Sequence, residues 1–244
     1  MTNKNIYKDI LNSISKEEKL LVVLIDPDKM LIEKLSDFLK KVNESVITHI
    51  FVGGSTVEDE VTETLVIEIK KLTKLPIILF PGDVTQLTDK ADALLFLSLL
   101  SGRNAEYLIG KQVQAVSKLR TSKIEVIPTG YLLIENGKET SVQKVTGTIP
   151  MPINDVQAIV DTAKAGEFLG MKLIYLEAGS GAKQPISAQI ISAVKQELHI
   201  PLIVGGGIRS KQQLENAYNS GANLVVIGTA FEENEHFFEE LKKV

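Results

Sequence analysis

Short apolar runs alternate with amphipathic stretches along this 244-residue chain, and this alternation constrains the fold more than any other feature. The runs are continuously apolar and rich in β-branched residues, which is typical of buried parallel strands covered by helices. There are eight of them: Leu20–Ile25, His49–Val52, Pro76–Phe80, Ala93–Leu97, Ile124–Ile127, Leu173–Leu176, Pro201–Val204 and Leu224–Ile227. Eight strands with intervening helices are the pattern of a (β/α)8 TIM-type barrel.

The predicted helices lie before and between these runs, over Asn3–Lys19, Leu31–Val42, Val57–Leu72, Asn104–Leu119, Asp155–Leu169, Ser187–Leu198 and Lys211–Asn219. The connection Pro81–Asp92 is barely long enough for a crossover, which predicts that the third helix of the barrel is reduced or missing. A doubly wound open sheet is the rival architecture, but no dinucleotide fingerprint follows the first run. Without a linker, residues 1–244 are expected to form one domain.

Composition excludes several classes of function. The chain has no cysteine, so disulfides and thiolate chemistry are absent, and its three histidines are too widely spaced to predict a metal site. A net charge of −4 argues against a nucleic-acid partner, which needs a concentrated basic face. The polar N-terminus lacks a signal sequence, and no apolar run approaches the ~18 residues of a transmembrane segment. We therefore expect a cytoplasmic protein.

Glycine-rich turns follow the last three runs, at the end of a barrel where ligands bind. Gly179-Ser180-Gly181 follows the sixth run, Gly205–Gly207 the seventh and Gly228-Thr229 the eighth. Glycine lets backbone N–H groups approach an anion closely, just where the next helix begins. These turns together predict a phosphate site, although a tight strand-to-helix turn would explain any one of them.

Carboxylates at two run ends are candidates for chemistry. Asp26 and Asp28 follow the first run and suit Mg²⁺, which takes oxygen ligands and shares substrate phosphates. Asp28 fits an Asx turn or helix cap equally well. Ser55, after the second run, is either a further oxygen ligand or a helix cap. Glu177 follows an apolar run, and burying a carboxylate without a function there would cost free energy. We therefore interpret Glu177 as a general base.

Two stretches depart from the regular alternation of strands and helices. The segment from Tyr131 to Met151 is long for a connection, and long loops at that end of a barrel usually cover the site. Tyr131 itself could reach the barrel mouth or simply pack in the core. The short connection after the third run leaves one flank of the barrel open, beside the apolar residues Phe80, Phe96, Leu97 and Leu100. Each of these four residues taken alone is better explained as a core residue.

Seven motifs in order, spread from about Leu20 to Phe231, carry a family resemblance. They are LIDPDK (Leu24–Lys29), FVGGS (Phe51–Ser55), SGRNAEYLIGKQV (Ser101–Val113), PTGYLL (Pro128–Leu133), YLEAGSGA (Tyr175–Ala182), VGGGIRS (Val204–Ser210) and IGTAF (Ile227–Phe231). Glycine triplets after a seventh strand are common in phosphate-binding barrels, but the full set is specific. The chain resembles the geranylgeranylglyceryl phosphate synthase family, related to the bacterial heptaprenylglyceryl phosphate synthases.

The resemblance implies a barrel without its third helix and a Mg²⁺-dependent prenyltransferase of phospholipid biosynthesis. The enzyme would join sn-glycerol 1-phosphate to an allylic prenyl diphosphate through an ether bond, with Glu177 taking the proton. Asp26 and Ser55 would hold Mg²⁺. The long prenyl tail would need an apolar groove, and the open flank beside Phe80, Phe96, Leu97 and Leu100 is the candidate. Glycerol phosphate would be bound by Tyr175, Leu176, Glu177, Ala178, Gly179, Ser180, Gly181, Gly206, Gly207, Gly228 and Thr229. We also expect a homo-oligomer.

One position separates relatives of this family. The bacterial heptaprenyl enzymes have a motif similar to KLDP at the end of the first strand, with Lys at the position where this chain has Leu24. The sequence LIDP is closer to the archaeal pattern and favours a C20 donor. Two rival functions stay open at this point: another phosphate-binding barrel enzyme, which would need a pair of acid and base carboxylates at opposite strand ends, and a non-catalytic binding barrel.

Overall fold

Eight parallel strands close into a barrel in chain order over the residues that the computed structural model describes, which are 5–54, 57, 60–233 and 236–242. The strands are β1 (Leu20–Ile25), β2 (His49–Val52), β3 (Ile77–Leu79), β4 (Ala93–Leu99), β5 (Glu125–Leu133), β6 (Leu173–Glu177), β7 (Leu202–Gly205) and β8 (Leu224–Ile227). Pairing of β1 with β8, for example Val22 with Val226, closes the ring. The predicted TIM-type barrel is confirmed.

Helices follow the strands and cover the outside of the barrel. They are α1 (Ile6–Ser15), α2 (Ile32–Glu44), α3 (Val61–Leu72), α4 (Lys111–Leu119), α5 (Ser141–Thr146), α6 (Val156–Phe168), α7 (Ala188–Glu197), α8 (Lys211–Asn219), α9 (Thr229–Glu233) and α10 (His236–Glu240). Several of these helices begin at a polar residue whose side chain caps the first turn, as such residues are favoured at this position. At the start of α8, for example, the Ser210 side chain accepts a hydrogen bond from the Gln213 N–H. In the described part of the chain, no helix has the length and apolar character needed to span a membrane.

The core has two layers because successive side chains of a strand point to opposite sides. Phe51, Leu95 and Ile203 belong to the cluster inside the barrel, whereas Leu132 and Val204 belong to the layer between the sheet and the helices. Both layers are almost fully buried. The barrel interior is therefore a packed core up to the carboxyl ends of the strands.

Helix α1 closes the other end of the barrel. Its buried residues Ile6 and Ile10 join the interior cluster, together with the first residues of strands such as Leu20. The Glu125 carboxylate at the start of β5 accepts hydrogen bonds from the Ile6 N–H (2.5 Å) and the Tyr7 N–H (3.2 Å). This places a carboxylate at the helix N-terminus, where negative charge is favoured.

Strands β3 and β4 are connected without an α-helix, and a single 3₁₀ turn at Val84–Gln86 takes its place. The buried Gln86 side chain fixes this turn, because it donates to the Gly54 carbonyl (2.8 Å) and accepts from the Gly82 N–H (3.2 Å). With no helix over this flank, the outward-facing Leu94 and Phe96 of β4 border an open cavity.

The fifth strand is longer than the sequence predicts. The apolar pattern indicates Ile124–Ile127, with Pro128 and Gly130 ending the strand, but pairing continues to Leu133. Proline lacks only an N–H, and glycine has no side chain to obstruct a neighbour, so neither prevents parallel pairing here. Tyr131 therefore lies within the strand rather than in the loop after it.

Two helical segments also differ from the prediction. The long connection after β5 contains α5, which begins at Thr140, whose hydroxyl accepts a hydrogen bond from the Gln143 N–H (3.1 Å). The predicted helix Asn104–Leu119 is divided into a π-helix, Glu106–Gly110, and α4. Single π turns of this kind occur frequently at functional sites, and this one borders the cavity.

Candidate active site

The carboxyl ends of the strands surround a cavity of about 380 Å³. Its mouth is lined by residues that follow each strand, and it continues over the flank left open between β3 and β4 towards α4. Polar groups such as Asp26 and Glu177 lie at the mouth, whereas Leu87, Phe96 and Ala115 line the flank. The cavity therefore combines a polar mouth with an apolar groove.

Asp26 lies directly after β1 with its carboxylate at the mouth. Its Oδ1 accepts a hydrogen bond from the Asp28 N–H (3.2 Å), and its Oδ2 lies 3.4 Å from Lys29 Nζ. A Cβ on Gly54 would lie 2.7 Å from Asp26 Oδ1, so glycine at position 54 leaves the space that this carboxylate occupies. Local backbone and one lysine thus position the carboxylate without burying it.

The residues at the mouth determine how a metal could be held. Among the described residues, no group of three or more metal-ligating side chains is present. Ser55, the second predicted ligand, lies outside the described residues. Because Mg²⁺ is often bound through one or two carboxylates and completed by substrate phosphates, Asp26 at a mouth that also carries glycine turns fits this mode. It does not fit a dedicated protein cage.

Glu177 ends β6 and is only 6% exposed. Its Oε1 accepts a hydrogen bond from the Gly179 N–H at 2.6 Å. Burial raises the pKa of the Glu177 carboxyl, although the Gly179 N–H and the Tyr175 hydroxyl act in the opposite direction. A carboxylate with a raised pKa is better matched to proton transfer near neutral pH. Burial and the nearby Glu177 charge also raise the pKa values of Tyr131 and Tyr175, so both phenols stay protonated.

The three glycine turns predicted from the sequence lie together on neighbouring strands. Ser180 Oγ, after β6, is 3.4 Å from Thr229 Oγ1, after β8, so these two turns meet across the end of β7. Gly206 has φ +86°, and a Cβ there would lie 2.6 Å from Glu177 Oε1. Glycine is therefore required at 206 both for its backbone conformation and for the space beside the carboxylate. Backbone turns of this kind form concavities that bind anions.

Nine of the eleven residues predicted to bind the acceptor line the cavity: Tyr175, Glu177, Gly179, Ser180, Gly181, Gly206, Gly207, Gly228 and Thr229. The other two, Leu176 and Ala178, belong to the buried layer between the sheet and the helices. Alternate residues of a strand face opposite sides, so these two side chains point away from the cavity. Any contact they make with a ligand there is limited to their backbone.

The apolar groove is bounded by the 3₁₀ turn on one side and by the π-helix and α4 on the other. Lys111 Nζ, at the start of α4, lies 2.7 Å from Asp83 Oδ2 beside the 3₁₀ turn. Lys118 Nζ donates to the Val84 carbonyl at 3.1 Å, and the Gln112 amide donates to the Leu97 carbonyl. These contacts join α4 to the 3₁₀ turn and to β4, so they fix the two sides of the groove relative to each other.

Three of the four residues predicted to line the groove do so, namely Phe80, Phe96 and Leu97. Leu100 is different, because its side chain packs between the backbones of β5 and α6. Its Cδ1 would lie 2.6 Å from a Cβ on Gly130 and 2.7 Å from one on Gly166. The two glycines thus create a slot for Leu100, which is a core residue outside the groove.

Two further polar residues at the site were not assigned from the sequence. Arg209 lines the cavity, and its Nη1 donates to the Ala182 carbonyl at 2.5 Å. Its position two residues after the glycine triplet is a signal that could have identified it, since guanidinium groups bind phosphates well. Gln86 bridges two loops below the mouth. A single Gln in a short polar connection gives no sequence signal of burial.

Comparison with known proteins adds an independent finding. The profile of the PcrB family matches residues 12–244. A geranylgeranylglyceryl phosphate synthase from Flavobacterium johnsoniae is 53% identical over 234 residues, covering 96% of each chain. One from Zunongwangia profunda is 54% identical over 230 residues, covering 93% of this chain and 98% of that protein.

A solved structure is also similar over nearly the whole chain. It is the crystal structure of (S)-3-O-geranylgeranylglyceryl phosphate synthase from Thermoplasma acidophilum in complex with its substrate sn-glycerol-1-phosphate. The TM-score is 0.91 at 32% sequence identity, and the match covers 98% of this chain and 96% of that one. The likeness therefore extends to the sequence, the fold and the full length.

Proposed function

Because this chain belongs to the PcrB family, we propose that it catalyses ether formation between sn-glycerol 1-phosphate and an allylic prenyl diphosphate, namely geranylgeranyl diphosphate. One observation carries the proposal: a single cavity joins glycine turns suited to a phosphate, the buried carboxylate of Glu177, Asp26 and an apolar groove. The geranylgeranylglyceryl phosphate synthases similar to this chain support the same reaction. The product would be a prenylglyceryl phosphate for lipid biosynthesis.

The acceptor would be held by the turns after β6, β7 and β8. Its phosphate would lie against Gly206, Gly207 and the Gly228-Thr229 turn, where glycine permits close approach of the backbone. Arg209 lines the same part of the cavity and would add a positive charge. This arrangement would direct the glycerol hydroxyls towards Glu177.

Glu177 would act as the general base. The hydroxyl oxygen of glycerol attacks C1 of the prenyl group, and the hydroxyl proton passes to the Glu177 carboxylate. The Gly179 N–H, 2.6 Å from Oε1, fixes the orientation of that carboxylate. A carboxyl group in this buried position has a raised pKa, which favours proton acceptance near neutral pH.

Asp26 would hold Mg²⁺ at the diphosphate of the donor, together with Ser55 and substrate oxygens. When bound, Mg²⁺ neutralises the charge that develops on the leaving diphosphate. Asp26 lies at the polar mouth on β1, next to the acceptor turn of β8 in the closed barrel. The leaving group and the attacking hydroxyl would thus be brought to one place.

The prenyl tail would lie in the apolar groove over the open flank. Its wall is supplied by both faces of β4, by the 3₁₀ turn and by α4, so that a lipid replaces the covering surface of the missing helix. Burial of hydrocarbon at roughly 25 cal/mol per Å² supports binding of a long apolar tail here. Leu24 in place of Lys at the first strand supports a C20 donor.

The decisive experiment is incubation of the purified protein with sn-glycerol 1-phosphate and labelled C20 or C35 prenyl diphosphates, with and without Mg²⁺. We expect a prenylglyceryl phosphate in the presence of Mg²⁺, with the C20 donor preferred. The sn-glycerol 3-phosphate enantiomer is the matched control for the acceptor. Absence of product with every donor would reject the prenyltransferase and favour a binding role.

Gly228→Ala should raise the KM for glycerol phosphate by roughly tenfold while changing the KM for the prenyl donor by less than about twofold, because an added methyl keeps the phosphate from close backbone approach. A Cβ at this position would meet Leu24 at 3.5 Å, an ordinary contact, so folding should be unaffected. Steady-state kinetics in both substrates measure the split. Gly206→Ala is unsuitable, since its Cβ would collide with Glu177. Equal increases in both KM values would mean that position 228 does not contact the acceptor.

Leu97→Trp should shorten the longest prenyl donor that is accepted, because Leu97 lines the groove. Product chain length in competition between C15, C20 and C35 donors measures the effect. Leu100→Trp is the matched control: Leu100 packs against Gly130 and Gly166, so this variant should lose thermal stability rather than change donor length. An unchanged length preference in Leu97→Trp would place the tail elsewhere.

The proposal includes a homo-oligomeric assembly. Ile109, Val113 and Val116 lie on one face of the π-helix and α4, and their side chains are exposed. Contiguous exposed apolar surface of this kind is typical of protein interfaces, which supports self-association. Light scattering on the purified protein measures the mass in solution.

A further inference from the structure

Three aromatic rings from three different strands form the floor of the cavity. Phe80 follows β3, Tyr131 lies on β5 and Tyr175 on β6, and all three line the cavity. The ring centroids of Phe80 and Tyr175 are 5.2 Å apart, those of Tyr131 and Tyr175 5.4 Å and those of Phe80 and Tyr131 5.8 Å. The rings are in mutual contact, at 22°, 53° and 75° between planes, and they line the cavity where most of the barrel interior is aliphatic.

The order of strands places this floor beneath the reacting carbon of the proposed reaction. The leaving diphosphate would lie at Asp26 on β1, the acceptor on β6 to β8, and the tail over β3 and β4. C1 of the prenyl group must join these three places, so it must lie over the centre of the barrel. The rings from β3, β5 and β6 occupy that centre, between the tail groove and Glu177.

The chemistry at this carbon develops positive charge. The C1–O bond to the diphosphate breaks, both electrons leave with the diphosphate, and the charge spreads over C1 and C3 of the allylic group. The glycerol oxygen then forms the new bond to C1, and its proton passes to the Glu177 carboxylate. Between these events the allyl group is electron-poor, so groups that stabilise positive charge beside it would lower the barrier.

We propose that Phe80 and Tyr131 are catalytic residues of this reaction, whose ring faces stabilise the developing allylic cation. Aromatic faces carry negative potential and attract cations most strongly when water is excluded. The rings are already in place before the C1–O bond breaks, so they lower the barrier to ionisation of the donor without any reorganisation of the site. The proposal rests on the function proposed above and adds two residues to its machinery.

The buried environment keeps the Tyr131 ring suited to this role. Tyr131 is 6% exposed, and burial together with the Glu177 charge raises the pKa of its phenol, so the ring is neutral. Phe80 has no polar group at all, and its ring lies close to parallel with that of Tyr175, at 22° between planes. The alternative role for both rings is an apolar wall for the first isoprene unit, which any aliphatic side chain could supply.

Fluorination of Phe80 separates the two roles, because each fluorine weakens the negative face of the ring with little change in shape. Phenylalanine with one, two and three fluorines would be incorporated at position 80, and the single-turnover rate of prenyl transfer measured. We expect the rate to fall stepwise, by about tenfold or more for three fluorines, in line with a desolvated cation–π interaction. The KM for glycerol phosphate should stay within about twofold.

Phe51 supplies the matched control. It is fully buried, its ring centroid is 6.2 Å from that of Phe80, and it lies outside the described lining of the cavity. The same fluorinated series at position 51 should leave the rate unchanged. A second pair of variants repeats the test without fluorine: Tyr131→Phe keeps the ring and should keep most of the rate, whereas Tyr131→Leu should lose about tenfold or more.

A flat fluorine series at position 80 in a protein that turns over normally would overturn the cation-stabilising role and leave the rings as an apolar wall. Equal loss in the Phe51 series would also overturn it, since the effect would then come from packing. Failure of the wild-type protein to form any product would instead reject the proposed function itself. The wild-type assay is therefore run first, and the two failures are distinguishable.

Discussion

Asp26→Ala should abolish prenyl transfer, with kcat at least about 10³-fold lower, because stabilisation of the leaving diphosphate is worth several kcal/mol and each 1.36 kcal/mol is a factor of ten in rate. Asp26 supplies the carboxylate that lies at the mouth of the cavity after β1. Its ion pair with Lys29 spans three residues on the surface, at 3.4 Å. Such pairs contribute little to stability, so the melting temperature should stay within a few degrees of wild type.

Rates should be measured across a Mg²⁺ titration, and Mg²⁺ binding should be followed by calorimetry in the presence of inorganic diphosphate. We expect wild-type protein to bind Mg²⁺ under these conditions and Asp26→Ala to bind it far more weakly. Asp37→Ala on α2 is the matched control for loss of a carboxylate away from the mouth. Retention of more than a tenth of wild-type activity in Asp26→Ala would show that Asp26 is not a main metal ligand.

Glu177→Gln should lower kcat by about 10²–10⁴-fold, the range that a positioned general base contributes. The substitution keeps the shape of the side chain and an oxygen that can accept from the Gly179 N–H. Single-turnover measurements with saturating substrates isolate the chemical step. An activity close to wild type would mean that the hydroxyl proton leaves by another route.

The same variant should be at least as stable as wild type at neutral pH. Burial raises the pKa of Glu177 in the folded state, so the native protein binds this proton more tightly than the unfolded chain. Stability therefore falls as pH rises through the window between the ordinary glutamate value and the raised one. Gln removes that penalty, so its melting temperature should match or exceed that of wild type at pH 7. In wild type, kcat should rise with pH through the raised pKa.

The strands show how much of the fold the local sequence pattern predicts. Leu20–Ile25, His49–Val52 and Leu224–Ile227 are bounded as predicted, because each is a continuous apolar run between polar or glycine residues. The fifth strand was predicted too short, since Pro128 and Gly130 usually end strands. Parallel pairing with β4 and β6 on both sides carries β5 through these residues to Leu133. Tertiary pairing overrides local propensity there.

The same division applies to the site. The glycine turns could be found from the sequence because glycine allows backbone conformations that other residues rarely adopt. Glu177 could be found because burying a carboxylate at a strand end costs free energy. The sequence could not place Leu176, Ala178 and Leu100 outside the cavity, because that depends on which face of a strand points inward. Nor could it predict that Gln86 is buried, since its hydrogen bond to the Gly54 carbonyl joins residues 32 positions apart in the chain.

The amino-acid sequence alone was sufficient to infer the eight-stranded barrel, the missing third helix, the family and most residues around the mouth of the cavity. Each of these follows from local periodicity, from the length of one connection or from motifs at strand ends. The three-dimensional structure was needed to show that Phe80, Tyr131 and Tyr175 meet over the barrel centre and that Leu100 fills a slot between two glycines. Contacts between residues on different strands depend on the register and closure of the barrel, which no local pattern specifies.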